Sequence, residues 1–345
     1  MCGEVMITQK KIAELAGVSR ATVDRVLNDR DGVNDDTRKK IMEIAKAVGY
    51  KPNRAGKALA IRQKHIQIGC ILIDAKNPFY ADIKKGIENK KKEYDEYGIT
   101  VAIRMVKLDV DAQISVIEGL VKEGISALVI QPVNSPLIAR KLQELSDKGV
   151  LIVTTNSDVD GFESFAYVGN NFYACGKMAA NLMELITHGN ANIGIVTGFF
   201  GAKSHGDRID GFKAYIKDYK RMNIIETIEN HDDEFESYHL TYDMLSRHPE
   251  IDSIFIVAGG VYGAGRAVKE FLKNRKITVI SFDDVPTTKE LIKEDVIAAT
   301  ICQQPVRQGE LSLEVILNYL IDNERPQKRE IDTDIEIKIK TNIEM

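Results

Sequence analysis

The chain has 345 residues, 44% of them hydrophobic and 28% charged, with a net charge of −4. That length exceeds one ordinary core, so two or three domains are expected, and no apolar run approaches the ~20 residues that span a bilayer. Met1 to Met6 lack the order of a signal peptide. Cys2, Cys70, Cys175 and Cys302 are too scattered for a zinc site or disulfide framework, so the chain reads as cytoplasmic, with reduced thiols and no metal or cofactor. Charge divides by segment: residues 1–64 hold 14 Lys and Arg against 8 Asp and Glu, a net of +6, which leaves −10 for the remainder. A small basic head on an acidic body suits a polyanion-binding head.

The head opens with two short helices. Thr8 is placed to cap the first, whose apolar face is read as Ile12, Leu15 and Ala16. Gly17 supplies the left-handed backbone of a tight helix end. Ser19 is placed to cap the second, which buries Val23, Val26 and Leu27 and presents Arg20, Ala21, Asp24, Arg25 and Asn28 on its other face. Helix, glycine turn and polar second helix form the unit that lays a recognition helix in the DNA major groove. Asn34 is placed to cap a third helix over 35–48, with Ile41, Ile44, Ala45 and Val48 inward. Lys51-Pro52 forces an extended step. A stretch at 53–62 has helical spacing, but it is too short to be stable alone and is weakened by Gly56.

From residue 66 the period changes. Apolar strand-like runs at 66–73, 100–106, 126–131, 150–155, 192–197, 224–229, 252–257, 277–282 and 297–302 alternate with amphipathic helices. The helices fit 79–97, 111–122, 136–148, 172–188, 206–219, 235–247, 262–274, 287–293 and 306–321. This alternation predicts an α/β body of two doubly wound lobes with parallel sheets. After Pro326, Ile331, Ile335, Ile337 and Ile339 alternate as one half-buried strand would.

The head carries a specific pattern. Ala16-Gly17-Val18-Ser19-x-x-Thr22-Val23-x-Arg25-Val26-Leu27-Asn28, continued by Gly32-Val33-Asn34, Thr37-Arg38, Gly49-Tyr50, Pro52-Asn53 and Ala58-Leu59-Ala60, resembles the lactose-repressor/galactose-repressor family of bacterial transcription regulators. The resemblance runs more loosely to about residue 325. It implies a helix-turn-helix DNA-binding domain over 1–52 and a hinge over 53–65. The effector-binding and dimerisation body, 66–345, is a clamshell like that of periplasmic sugar-binding proteins. Its lobes would be about 66–168 with 300–325, and 169–299 with 326–345. The implied partners are a second copy of the chain, palindromic operator DNA and a sugar-like effector.

By that resemblance Arg25 reads a base edge, and Thr22, Asn28, Asn34 and Thr37 meet phosphate. Thr8, Ser19, Arg20, Ala21, Tyr50, Asn53 and Ala60 belong to the same DNA surface, and Leu59 wedges into the minor groove. Asp24 departs from the usual serine; it is placed either to be tethered by Arg20, four residues earlier, or to accept from a cytosine amine.

Ligands of doubly wound sheets bind beyond the carboxyl ends of strands. Asn77, Phe79 and Tyr80 follow the first strand in an Asn-Pro-Phe-Tyr pattern resembling that of sugar-binding lobes, although Asn77 and Pro78 also spell a helix start. Gln131 follows the third strand; Asn156 and Asp158 follow the fourth. In the second lobe Arg208, in Arg-x-x-Gly-Phe, and Asp283 and Gln303 match family contact positions. Arginine suits such a site because its planar fork holds two oxygens. His205 reads as orienting a neighbour, and His231 and His239 as surface residues. Ala258-Gly259-Gly260 departs from the family, which usually has an amide there; the two glycines are able to offer N–H groups to an anion. A monosaccharide, polyol or sugar phosphate would each fit. No G-x-S-x-G, no phosphate loop and no metal-spaced His pair is present, so no catalysis is expected.

Overall fold

The computed structural model describes residues 8–27, 31–48, 50, 61–62, 65–74, 77–200 and 202–344. In the head, α1 (Gln9–Ala16) starts at Thr8, whose hydroxyl accepts from the Lys11 N–H. It stops at Gly17, where a φ of 69° lets the N–H turn back to the Ala13 and Glu14 carbonyls. The Ser19 hydroxyl accepts from the Thr22 N–H at 3.0 Å and opens α2 (Arg20–Leu27). Asn34 accepts from the Thr37 N–H at 2.8 Å and opens α3 (Asp35–Ala47). Ile12, Ala13, Ala16, Val23, Val26, Ile41 and Ala45 meet as the core. Leu15, read as inward, is 49% exposed; it lies past the edge of the arc that Ile12, Ala13 and Ala16 turn inward. Hinge residues 53–60, with Asn53, Leu59 and Ala60, lie outside the described residues, as does Asn28, whereas Ile61 is buried in the core of the first lobe.

The body builds two sheets of one design. The first contains β1 (Gln67–Ile73), β2 (Thr100–Val106), β3 (Ala127–Ile130), β4 (Leu151–Thr155) and β5 (Ala166–Gly169), with α4 (Pro78–Glu93), α5 (Val110–Lys122) and α6 (Pro136–Asp147) between them. The second contains β6 (Ala191–Thr197), β7 (Met222–Glu229), β8 (Ser253–Ile256), β9 (Thr278–Phe282) and β10 (Ala299–Cys302). Around it run α7 (Phe172–Thr187), α8 (Lys203–Ile216), α9 (Glu234–Arg247), α10 (Val261–Phe271) and α11 (Pro286–Lys293). The strand orders, β2-β1-β3-β4-β5 and β7-β6-β8-β9-β10, are the same, and every pairing within them is parallel. Continuous buried runs such as Ile68–Ile73 and Ile254–Ile256 are what sheets covered on both faces require. β5 follows β4 with no helix between them, so it breaks the strand-helix alternation and was not anticipated.

The chain crosses between lobes three times. It leaves the first sheet after β5, and it returns after β10 when α12 (Pro305–Asp322) packs along α4. The tail is not the single strand that its alternating isoleucines predict. β11 (Glu330–Asp332) pairs parallel with β5 in the first sheet, and β12 (Glu336–Lys338) pairs antiparallel with β10 in the second. The third crossing thus falls at 333–335, not near 325, and residues 330–332 belong to the first sheet. A buried polar knot ties the three crossings. Gln308 Nε2 donates to Asn170 Oδ1 at 2.9 Å and to the Gln303 carbonyl at 2.8 Å. Asn170 Nδ2 donates to the Thr333 carbonyl at 2.7 Å. No helix among the described residues is long and apolar enough to cross a membrane.

Candidate ligand cleft and nucleic-acid interface

The carboxyl ends of both parallel sheets face one cleft between the lobes. Its central cavity, of about 30 Å3, is walled on one side by Asn77, Phe79, Tyr80 and Asn156, and on the other by Phe172, Ser204, His205, Arg208, Asp232, Asp283 and Gln303. Two further compartments adjoin it and share Asp232 with it. Small-molecule sites are walled by aromatic groups with a few convergent polar ones.

Arg208 stands at the centre because of its helix. The Gly211 of its motif lets α8 lie against α7, where a Cβ would collide with the Tyr173 carbonyl oxygen, and a Cβ at Gly176 would collide with the Arg208 carbonyl. Phe212 is buried and stacks on Phe255. The guanidinium lies 3.9 Å from the Phe282 ring centre and 4.8 Å from that of Phe172. Nη1 donates to the Val257 carbonyl at 2.6 Å and Nη2 to Gln303 Oε1 at 2.8 Å, while the buried Nε has no protein partner. Gln303 Nε2 passes the chain on to Asp283 Oδ1 at 2.8 Å. Burial pushes the Asp283 carboxyl up to about 6, against the pull of Arg208 and Gln303. Burial also raises the Tyr80 phenol, which keeps its proton.

In the first lobe the polar groups do double service. Asn77 caps α4, accepting from the Phe79 N–H at 3.0 Å, and also lines the cavity. Phe79 is 4% exposed and shared with the lobe core. Gln131 Oε1 accepts from the Ile73 N–H at 2.9 Å, so half of its amide joins two strands. Its Nε2 donates to Asn156 Oδ1 at 3.3 Å, and Asn156 Nδ2 reaches Gln308 Oε1 at 3.4 Å. The cleft wall is thereby linked to the knot at the crossings.

Asp158 is not brought to this cavity. Its carboxylate pairs with Arg329 and accepts from the Thr154 hydroxyl, and it lines a neighbouring hollow that shares Phe172 and Ser204 with the cavity. A partner 171 positions away gave no local signal. His205 does orient a neighbour: Nδ1 accepts from the Phe199 N–H at 3.0 Å, and burial pushes its pKa down to about 3. The N–H of Gly259 meets an anion, as its setting allowed, but that anion is the Asp232 carboxylate at 2.8 Å. Asp232, Phe172 and Ser204 are the wall residues the sequence left unnamed, and Asp232 is the charged one. Its signal was the one used elsewhere, a polar residue soon after a strand, here β7.

On the head, Ser19, Arg20, Ala21 and Arg25 are exposed along α2. Ser19 and Thr22 hydroxyls share a 2.8 Å hydrogen bond. Gln9 Nε2 donates to Asp24 Oδ1 at 3.4 Å, a tether from α1 in place of the one sought from Arg20. Tyr50 packs on the head core, and burial raises its phenol pKa.

Two family models match the chain: residues 8–53 match "Bacterial regulatory proteins, lacI family", and residues 68–324 match the periplasmic binding protein domain. The chain belongs to the lacI family of bacterial regulatory proteins. This lacI-family chain is 23% identical to a ribose operon repressor of Halalkalibacterium halodurans over 333 residues, covering 95% of the chain and 93% of the relative. It is 28% identical to the ribose import binding protein RbsB of Bacillus subtilis over 265 residues, 76% of the chain and 83% of the relative. A solute-binding protein from Burkholderia graminis C4D1M, solved with D-arabinose, superposes with a TM-score of 0.73 at 25% identity, covering 81% of this chain and 96% of that one. The lacI-family chain is thus a DNA-binding transcription regulator whose body has the fold of periplasmic sugar-binding proteins.

Proposed function

We propose that this regulator binds operator DNA as a homodimer and that a small polyhydroxylated ligand, a sugar or polyol, occupies the interlobe cleft and sets operator affinity. The observation that carries the effector reading is the cavity itself. Hydroxyl-matching groups (Asn77, Asn156, Arg208, Asp283, Gln303) converge from both sheets between the aromatic walls of Phe79, Tyr80 and Phe172. Aromatic faces suit the apolar side of a pyranose-like ring, and the paired polar groups suit its hydroxyls. The names of the ribose-related relatives support the same class. Residues 1–52 serve as the DNA-reading domain and 53–65 as the hinge, with the lobes as the effector-binding and dimerising body, in the cytoplasm.

Coupling runs from Asn156 through Gln308 to the three crossings, so a ligand that draws the lobes together acts on the knot that joins them. The ligand shifts operator affinity by binding one lobe arrangement better than the other. In the head, Arg25 reads a guanine edge, Thr22, Asn34 and Thr37 hold phosphate, and Leu59 from each hinge unstacks a central base step. Differential scanning fluorimetry over sugars, polyols and their phosphates tests the effector reading. A rise in melting temperature with a polyhydroxylated compound is expected, and its absence across the whole panel contradicts the reading.

A further inference from the structure

We infer that Asp232 is a specificity-determining ligand contact, one that commits the cleft to a neutral polyhydroxyl compound and turns away its phosphorylated counterpart. This inference rests on the cleft being a sugar site. Asp232 lines the central cavity and both adjoining compartments. The chain goes to some length to put it there. His231 and Asp232 both take left-handed backbone, with φ of 51° and 55°, a conformation that non-glycine residues adopt at a cost and that persists where the surroundings enforce it. Asn230 enforces it. This fully buried amide accepts from the Asp232 N–H at 3.0 Å and donates to Ser237 Oγ and to the Gly259 carbonyl, each at 3.0 Å.

Two distant glycines clear the space. A Cβ on Gly198, just after β6, would collide with the Asp232 carboxylate and come within 2.8 Å of His205 Cε1. A Cβ on Gly259, just after β8, would come within 2.8 Å of Asp232 Oδ1. Gly198 and Gly259 therefore admit a carboxylate from the loop after β7. The Gly259 N–H holds Oδ1 at 2.8 Å, and Oδ2 is the oxygen we assign to the ligand.

A carboxylate accepts hydrogen bonds and donates none, so this corner suits hydroxyl donors. The charges around the cavity make the same selection. Among the described residues, Asp232 and Asp283 face a single wall cation, Arg208, whose two terminal nitrogens are already engaged by Val257 and Gln303. Glu229 and Lys203 line the adjoining compartment, but Lys203 is paired with Asp160 at 3.2 Å across the lobes. A phosphate dianion would enter next to two carboxylates with no uncommitted cation among the described wall residues. Burial raises the pKa of Asp232, as expected for a carboxylate kept from bulk water.

The test is isothermal titration calorimetry on the full chain with D-ribose, D-arabinose and their 5-phosphates. For wild type, a neutral sugar is expected to bind at least about 100-fold more tightly than its phosphate. A hydrogen bond to a charged group accounts for roughly tenfold or more in affinity. Asp232→Asn should therefore weaken the neutral sugar by about tenfold and shrink the discrimination. Asp232→Glu, should Asp232→Asn not fold, keeps the charge and should still reject the phosphate while binding the neutral sugar more weakly. Binding of both compounds within twofold of wild type in Asp232→Asn would overturn the inference. So would a wild type that prefers the phosphate, although the sugar reading would then stand. No heat from any of the four compounds with wild type would bring down both.

Discussion

Replacing Arg208 by lysine separates what this side chain does for the fold from what it does for a ligand. The guanidinium meets two buried acceptors in different directions, the Val257 carbonyl at 2.6 Å and Gln303 Oε1 at 2.8 Å. One ammonium reaches at most one of them, and a buried acceptor left without its donor costs about 1–3 kcal/mol. Loss of the planar contact with Phe282 adds about 0.5–2 kcal/mol. The sum, about 1.5–5 kcal/mol, corresponds to a melting temperature lower by roughly 2–7 °C for a chain of this size. Lysine is preferable to alanine here because it leaves a positive charge near Asp283. Thermal unfolding with and without a binding sugar reads both roles. Arg208→Lys should melt lower and lose the ligand-induced rise, while operator affinity without ligand stays within about twofold, since no DNA contact has changed. A variant that melts like wild type and keeps the full rise would refute the central placement of Arg208.

The Asp283 carboxyl is raised to about 6 by burial, so the folded state holds its proton more tightly than the unfolded chain does. Its contribution to stability is fully present below the ordinary carboxylate range and is lost as pH rises through about 6. In urea titrations across this range Asp283→Asn should flatten that loss, and it should remove the gain in ligand affinity that deprotonation brings; an unchanged pH profile counts against the assignment. Gly309→Ala places a Cβ against the Ile83 carbonyl oxygen where α12 crosses α4. A cost of about 1–3 kcal/mol is expected, read as a lower urea midpoint at constant slope, and an unmoved midpoint would mean that the helices are not in close contact. Arg25→Ala should weaken binding by about 1–3 kcal/mol and relax base preference at one symmetric pair of positions, measured by selection from a random DNA pool. Uniform weakening with the preference intact would remove it from base reading.

The strands of the two sheets were legible because parallel strands buried on both faces must be short continuous runs of apolar residues, and nine such runs stand out between amphipathic helices. The tail was not. Ile331, Ile335 and Ile337 keep a period of two across residues that belong to strands in different sheets, and a period says nothing about which neighbour a strand pairs with. Arg208, Asp283 and Gln303 were within reach because each stands at a strand end or at the helix that follows one. Asp158 has the same kind of position, yet it turns to Arg329, a tail residue that no local pattern connects to it. Asp232 also stands just after a strand, β7, but position alone does not choose among the polar residues of that loop. What specifies it is space, and that space is left by Gly198 and Gly259 on two other loops.

Operator binding measured as a function of ligand tests the central claim most directly. A palindromic DNA selected by the full chain should give a retarded complex whose affinity falls with increasing salt, as phosphate contacts require. Adding the sugar that raises the melting temperature should move that affinity at least about fivefold, the lower end of ordinary allosteric coupling, and Arg208→Lys should abolish the movement. A sugar that stabilises the protein yet leaves the operator affinity of wild type unchanged would contradict the account.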